Sequence, residues 1–143
     1  KIVENHLTLA AAREAGFILI PESVWLTLLE KNWAQEGENL AQVWQETGEW
    51  LGRYFKTVDP EVKASLLLER LIRALLWNIS EFTVDEIERT VTVRCIGFRT
   101  PSAHIHLVAS FIIGVMEALG YRPVKVQLAR GIANMKFTVV EEG

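Results

Sequence analysis

The sequence predicts an α+β domain: helices packed on an antiparallel sheet of about four strands, in the order helices, two strands, helix, two strands. Three observations carry this prediction. Apolar residues recur at helical spacing through the first half of the chain, the period changes to two after Ile79, and one more helical stretch after Pro101 separates that alternating segment from a second. A chain of 143 residues fits one core. With 50% hydrophobic and 23% charged residues it is too apolar to stay disordered.

Val3, Leu7, Ala10 and Ala11 give a short helix over residues 2–15, stopped by Gly16. Residues 1–16 are read as an N-terminal helical extension and 17–143 as a single domain. After the apolar strip Phe17 to Ile20 and Pro21, Ser23 offers a capping hydroxyl to a helix carrying Trp25, Leu28, Leu29 and Trp33, which Gly37 ends. Leu40, Val43, Trp44, Thr47, Trp50, Leu51, Tyr54 and Phe55 then mark the clearest amphipathic helix. Gly48 and Gly52 inside it cost about 1 kcal/mol each against alanine, so a backbone or a ligand is expected to approach closely there. Asp59 and Pro60 are ordered as a cap and a first-turn proline for a third helix running to about Trp77. Phe82, Val84, Val91, Val93 and Cys95 alternate around a turn at Glu88 and Arg89, giving a hairpin. Thr100, Pro101 and Ser102 punctuate the chain before a helix with Ile105, Val108, Phe111, Ile112, Val115, Met116 and Leu119, ended by Gly120. Two strands joined across Gly131 close the sequence, with Lys125 and Lys136 on the face opposite Val126 and Phe137. A cationic patch follows if that face is exposed.

Composition narrows the function classes. The net charge of −3 steers nothing toward phosphate backbones, so nucleic acid is not an expected partner. A lone cysteine, Cys95, forms no internal disulfide and suits a reducing, cytoplasmic setting. The apolar run Ile105 to Leu119 is shorter than the roughly 20 residues that span a bilayer, so no membrane span is expected. No GxSxG elbow, P-loop or GxGxxG is present, which removes acyl hydrolysis, nucleotide hydrolysis and dinucleotide chemistry. On regular helix, His104 and His106 point about 200° apart and do not share a metal. His104 reads as a neutral capping or solvent-facing residue near a positive helix end. What remains is apolar volume: Trp44, Trp50, Tyr54, Trp77, Phe111 and Met116 lie on helices whose apolar faces converge, leaving either a filled core or a slot.

The stretch from Thr90 to Val140 decides for the slot. Its "FIIGVMEALGY" helix with Gly114 and Met116, and its "PVKVQLARGIANMKFTVV" hairpin with Gly131 and Phe137, resemble the vinyl-reductase-type (4-vinyl reductase) small-molecule-binding domain. The relatives of that domain are the TRAPP vesicle-tethering subunits and the haem-NO-binding domains. The "GEWLGRYF" segment, Gly48 to Phe55, resembles the glycine-bearing early helix of the same group. Where vinyl-reductase-type domains often carry metal-suited cysteines, this chain has Gln127 and Met135, so zinc is not carried over. Nor does any early-helix histidine match a haem ligand, so haem is set aside as well.

The resemblance implies a non-catalytic module that binds a small hydrophobic or acyl ligand and forms a homodimer. Trp44, Trp50, Tyr54, Trp77, Phe111 and Met116 are its expected wall, with Gly48 and Gly114 permitting close approach. Two alternatives stand beside it: a dimeric scaffold resembling the tethering subunits, with no ligand, and an accessory factor in tetrapyrrole vinyl reduction.

Overall fold

The computed structural model describes residues 9–14, 16–18, 20–75, 79, 81–97 and 102–141. A short helix, α1 (residues 9–14), ends at Gly16, whose φ of +96° is a left-handed conformation that glycine adopts without a Cβ penalty. There the Gly16 and Phe17 amides donate to the Arg13 and Ala12 carbonyls and close the helix end.

Helix α2 spans Glu22–Val58 and breaks at Glu36, whose φ of −131° and ψ of 26° are not helical. The break lies beside Gly37, where the sequence predicts a stop. A straight helix would hold Trp25 and Trp44 about 28 Å apart, yet their rings stack at 5.5 Å. The two halves of α2 therefore fold back on one another as a helical hairpin. Ser23 makes no cap: Pro21 occupies that position and no side chain bonds the helix start.

The third helix also starts later than the cap-and-proline order predicts. Asp59 closes α2 instead, its amide donating to the Phe55 carbonyl at 2.9 Å. The Val62 amide then reaches back to the Asp59 carbonyl, and Lys56 Nζ donates to the Val62 carbonyl at 3.0 Å. Residues 59–63 thus form a turn, and α3 runs over Ala64–Leu75. Trp77 lies outside the described residues.

Four strands, β1 (Glu81–Ile87), β2 (Thr90–Ile96), β3 (Tyr121–Ala129) and β4 (Ile132–Val139), form one antiparallel sheet in the order β1-β2-β4-β3. Between the two hairpins α4 (Ser102–Ala118) crosses one face of the sheet. Alternation sends Val91, Val93 and Cys95 of β2, and Ala133, Met135 and Phe137 of β4, onto that face, all of them buried. They meet Leu67, Leu68, Leu71 and Ile72 of α3 and Val108, Ile112, Val115 and Met116 of α4. Each fully buried aliphatic or aromatic side chain contributes about 1.5–3 kcal/mol, so this layer holds sheet and helices together. Among the described residues no helix covers the sheet's other face, where Thr92, Arg94, Lys125 and Lys136 are exposed.

Candidate functional site

The site begins with how α2 and α4 meet. A Cβ at Gly48 would overlap the Phe111 carbonyl oxygen, and one at Gly114 would overlap the Gln45 carbonyl oxygen. Each glycine lets the opposite backbone into the volume a side chain would fill. Gly52 adds a looser third contact, 3.0 Å from both the Ala118 Cβ and the Val115 carbonyl oxygen. Gln45 Nε2 donates to Glu117 Oε1 across the seam at 2.7 Å. The close approach expected at Gly48 and Gly114 is therefore backbone on backbone, which leaves no room between them for an alkyl chain.

The expected wall is dispersed over separate places. Phe111 and Met116 are buried in the core between α4 and the sheet. Trp50 is 43% exposed on the outer face of α2, stacked on Tyr54 at 5.8 Å. Both line a shallow groove of about 270 Å³ with Arg53, Thr57 and Val58. A helical stripe gives spacing and not which side is covered, and here the Trp50 side faces away from the sheet. Trp44 stands on the inner side, half-buried, with its ring on Trp25. The structure packs Trp44 against the core that holds Phe111 and Met116 and leaves Trp50 and Tyr54 stacked on each other at the groove.

What it brings to Trp44 is His104. The imidazole is 1% exposed and meets the Trp44 ring edge-on at 5.8 Å. This corrects the expected capping or solvent-facing role. The residues at helical spacing from position 104, Val108, Phe111, Ile112 and Val115, are all buried, so the residue opens the buried stripe of α4. That periodicity was the sequence signal available for it. Burial pushes the His104 pKa down to about 4 and keeps the ring neutral near pH 7. His106, on the exposed side, stacks on Trp33 at 5.5 Å. Both histidines of α4 therefore meet tryptophans of α2, His104 through Trp44 and its stacked partner Trp25, His106 through Trp33.

Cys95 offers no second reactive centre. Its thiol is fully buried, and desolvation pushes its pKa up to about 12, so it stays protonated. Among the described residues no three His, Cys, Asp or Glu side chains stand together as a metal site. A larger open groove of about 420 Å³ lies at one end of the sheet, lined by Arg89, Thr90, Arg122, Thr138 and Glu141. Arg89 pairs there with Glu141 at 3.5 Å. No helix among the described residues is long and apolar enough to cross a membrane.

No family model and no curated relative matches the sequence. Solved structures do match, among them several H-NOX domains, the haem-NO-binding relatives named above. This corrects the assignment to the vinyl-reductase-type domain, whose matched features, small glycine and apolar elements, do not separate relatives that share them. The hydrophobic-ligand, tethering-scaffold and vinyl-reduction readings fall with that assignment. Setting haem aside is corrected too, since an H-NOX structure that shares the fold is named for its Fe(II) state. An oxygen-binding H-NOX domain related to soluble guanylate cyclases matches at 12% identity over 97% of this chain and 89% of its own, with a TM-score of 0.46. The H-NOX domain from Shewanella woodyi in its Fe(II)CO ligation state matches at 14% over 96% and 87%, with a TM-score of 0.49. The fold is similar to that of an Fe(II) unliganded H-NOX variant from K. algicida, at 13% identity over 87% of this chain and 76% of that one, with a TM-score of 0.54.

Proposed function

We propose that this chain is a haem-carrying sensor domain of the haem-NO-binding type, in which the His104 imidazole would hold the iron. The observation that carries the reading is the buried, neutral imidazole among aromatic rings. Iron takes histidine through an unprotonated ring nitrogen, and burial keeps His104 in that state down to about pH 4. The rings of Trp44 and Trp25 supply apolar surface of the kind that cofactor sites present. The donor therefore fits. The glycine seam of Gly48 and Gly114 does not serve as the slot, because its backbones are already in contact. The aromatic end is the place for the group.

Haem would supply an iron able to take a diatomic gas. The chain's own part is to present the imidazole, keep it neutral and wall it from water. Titration of the purified protein with haemin tests this, followed in the Soret region before and after reduction. Uptake of one haem per chain is expected, with the axial-histidine band lost in His104→Ala and kept in His106→Ala. Both variants should still unfold cooperatively. A folded wild-type protein that takes up no haem, or a His104→Ala spectrum identical to wild type, ends the reading.

A further inference from the structure

We infer that the uncovered face of the sheet docks an acidic polypeptide segment of a partner protein. This goes beyond the haem proposal and does not depend on it. Strand register places Lys125 of β3 directly opposite Lys136 of β4, and Thr92 of β2 opposite Lys136 on its other side. One step along, Arg94 stands opposite Asn134 and Asn134 opposite Gln127; one step the other way, Arg122 stands opposite Thr138. Alternation, together with the register shift between Pro123 and Lys125 that brings Arg122 to the same side as Lys125, puts all of these on the face turned away from the core, and Arg94, Arg122, Lys125 and Lys136 are exposed.

Like charges directly opposite on a sheet repel, and none of these four cations forms an ion pair with a described carboxylate. A protein of net charge −3 thus concentrates four positive charges on one face. The groups between them, Thr92, Asn134 and Gln127, donate and accept hydrogen bonds. Among the described residues of the strands no aromatic side chain stands on this face, so there is no platform for stacking bases.

Extent selects the occupant. Four strands about 4.8 Å apart make a face under about 20 Å wide, and its cationic row ends at Asp85 on β1. Glu81 shares that strand, and Glu88 sits at the hairpin turn. A nucleic-acid duplex or an anionic bilayer runs past the cations and over these carboxylates. A short acidic segment ends before them.

A fluorescently labelled oligoglutamate peptide, followed by anisotropy against the intact chain, tests the inference. Binding is expected at low ionic strength, weakening about tenfold as salt approaches physiological levels. Lys125→Glu/Lys136→Glu should weaken it at least tenfold, while Lys31→Glu/Lys63→Glu, the same charge change elsewhere, leaves it within twofold. If the reversal does not fold, Lys125→Gln/Lys136→Gln carries the test, with a several-fold loss expected. Absence of peptide binding at low salt overturns the inference, as does equal loss in both double variants. So does tighter binding of duplex DNA or of phosphatidylserine vesicles than of the peptide.

Discussion

Helices α2 and α4 meet in two chemically opposite ways. At Gly48, Gly52 and Gly114 the backbones come together with nothing between them. At the other end side-chain rings meet instead: Trp25 stacks on Trp44, the buried His104 ring meets Trp44 edge-on, and Trp33 stacks on His106. Positions 104 and 114 lie only about 15 Å apart along α4, so one helix pair carries a sealed seam and a ring-lined end. Where the Cβ is absent the interface cannot admit a guest without parting the helices. Where rings set the spacing, a guest competes only with side-chain contacts, which rotate and repack at smaller cost. The ring-lined end is therefore where the helix pair can yield, and the seam is what keeps that end in place.

The hardest way to break the contrast is to put a side chain into the seam. In Gly114→Val the new atoms fall on the Gln45 carbonyl oxygen, part of a helix backbone that cannot turn aside. Overpacking of this kind costs about 3 kcal/mol or more, enough to remove much of a domain's stability. Thermal unfolding should show a fall in Tm of more than about 10 °C by the usual conversion. A Tm within a few degrees of wild type would mean that the helices part freely and that the seam is not sealed.

The ring-lined end answers to pH instead. The His104 pKa lies near 4 in the folded protein against an ordinary 6.5. Between these values the unfolded chain takes up a proton that the native ring refuses, so stability is whole above pH 6.5 and falls as pH drops toward 4. Each pH unit in that window carries about 1.4 kcal/mol, and the full traverse removes about 3 kcal/mol. Urea unfolding of wild type and His104→Phe from pH 7 to 4 isolates the contribution, because carboxylate titrations are common to both. The wild type should lose stability faster on acidification. Parallel curves would place the imidazole in contact with water.

These two ends were not equally legible in the sequence. Paired glycines four apart point to close approach at Gly48 and Gly52, Gly114 enters only with the resemblance, and packing is the commoner reason for such glycines. Strand alternation likewise put Lys125 and Lys136 on one face, because a period of two leaves no other choice once Phe137 is buried. Trp50 and Tyr54 were harder. Their stripe is as regular as that of Trp44, and only tertiary packing decides which stripe is covered. His104 is hard to place because a position near a helix start suggests a cap, while the stripe through Val108 and Ile112 includes it only when extended back by one turn. The start of α3 failed for a local reason: Asp59 accepts and donates at the end of α2 before it can serve the next helix. Family assignment rested on glycines and apolar turns, which any member of a fold group needs for the same packing.

The mildest probe lies at the edge of the seam. A methyl group at Gly52 would stand 3.0 Å from the Ala118 Cβ and from the Val115 carbonyl oxygen, tighter than ordinary contact but without the overlap found at Gly114. Alanine also favours the helix over glycine by up to about 1 kcal/mol. These opposing terms leave Gly52→Ala destabilised by about 1 kcal/mol or less, a shift of a few degrees in Tm at this chain length. Side by side, Gly52→Ala and Gly114→Ala carry the same chemical change, so their difference measures how abruptly the backbone contact loosens toward the end of α4. If Gly52→Ala costs as much as Gly114→Ala, the seam is uniformly closed through Ala118 and its boundary lies elsewhere.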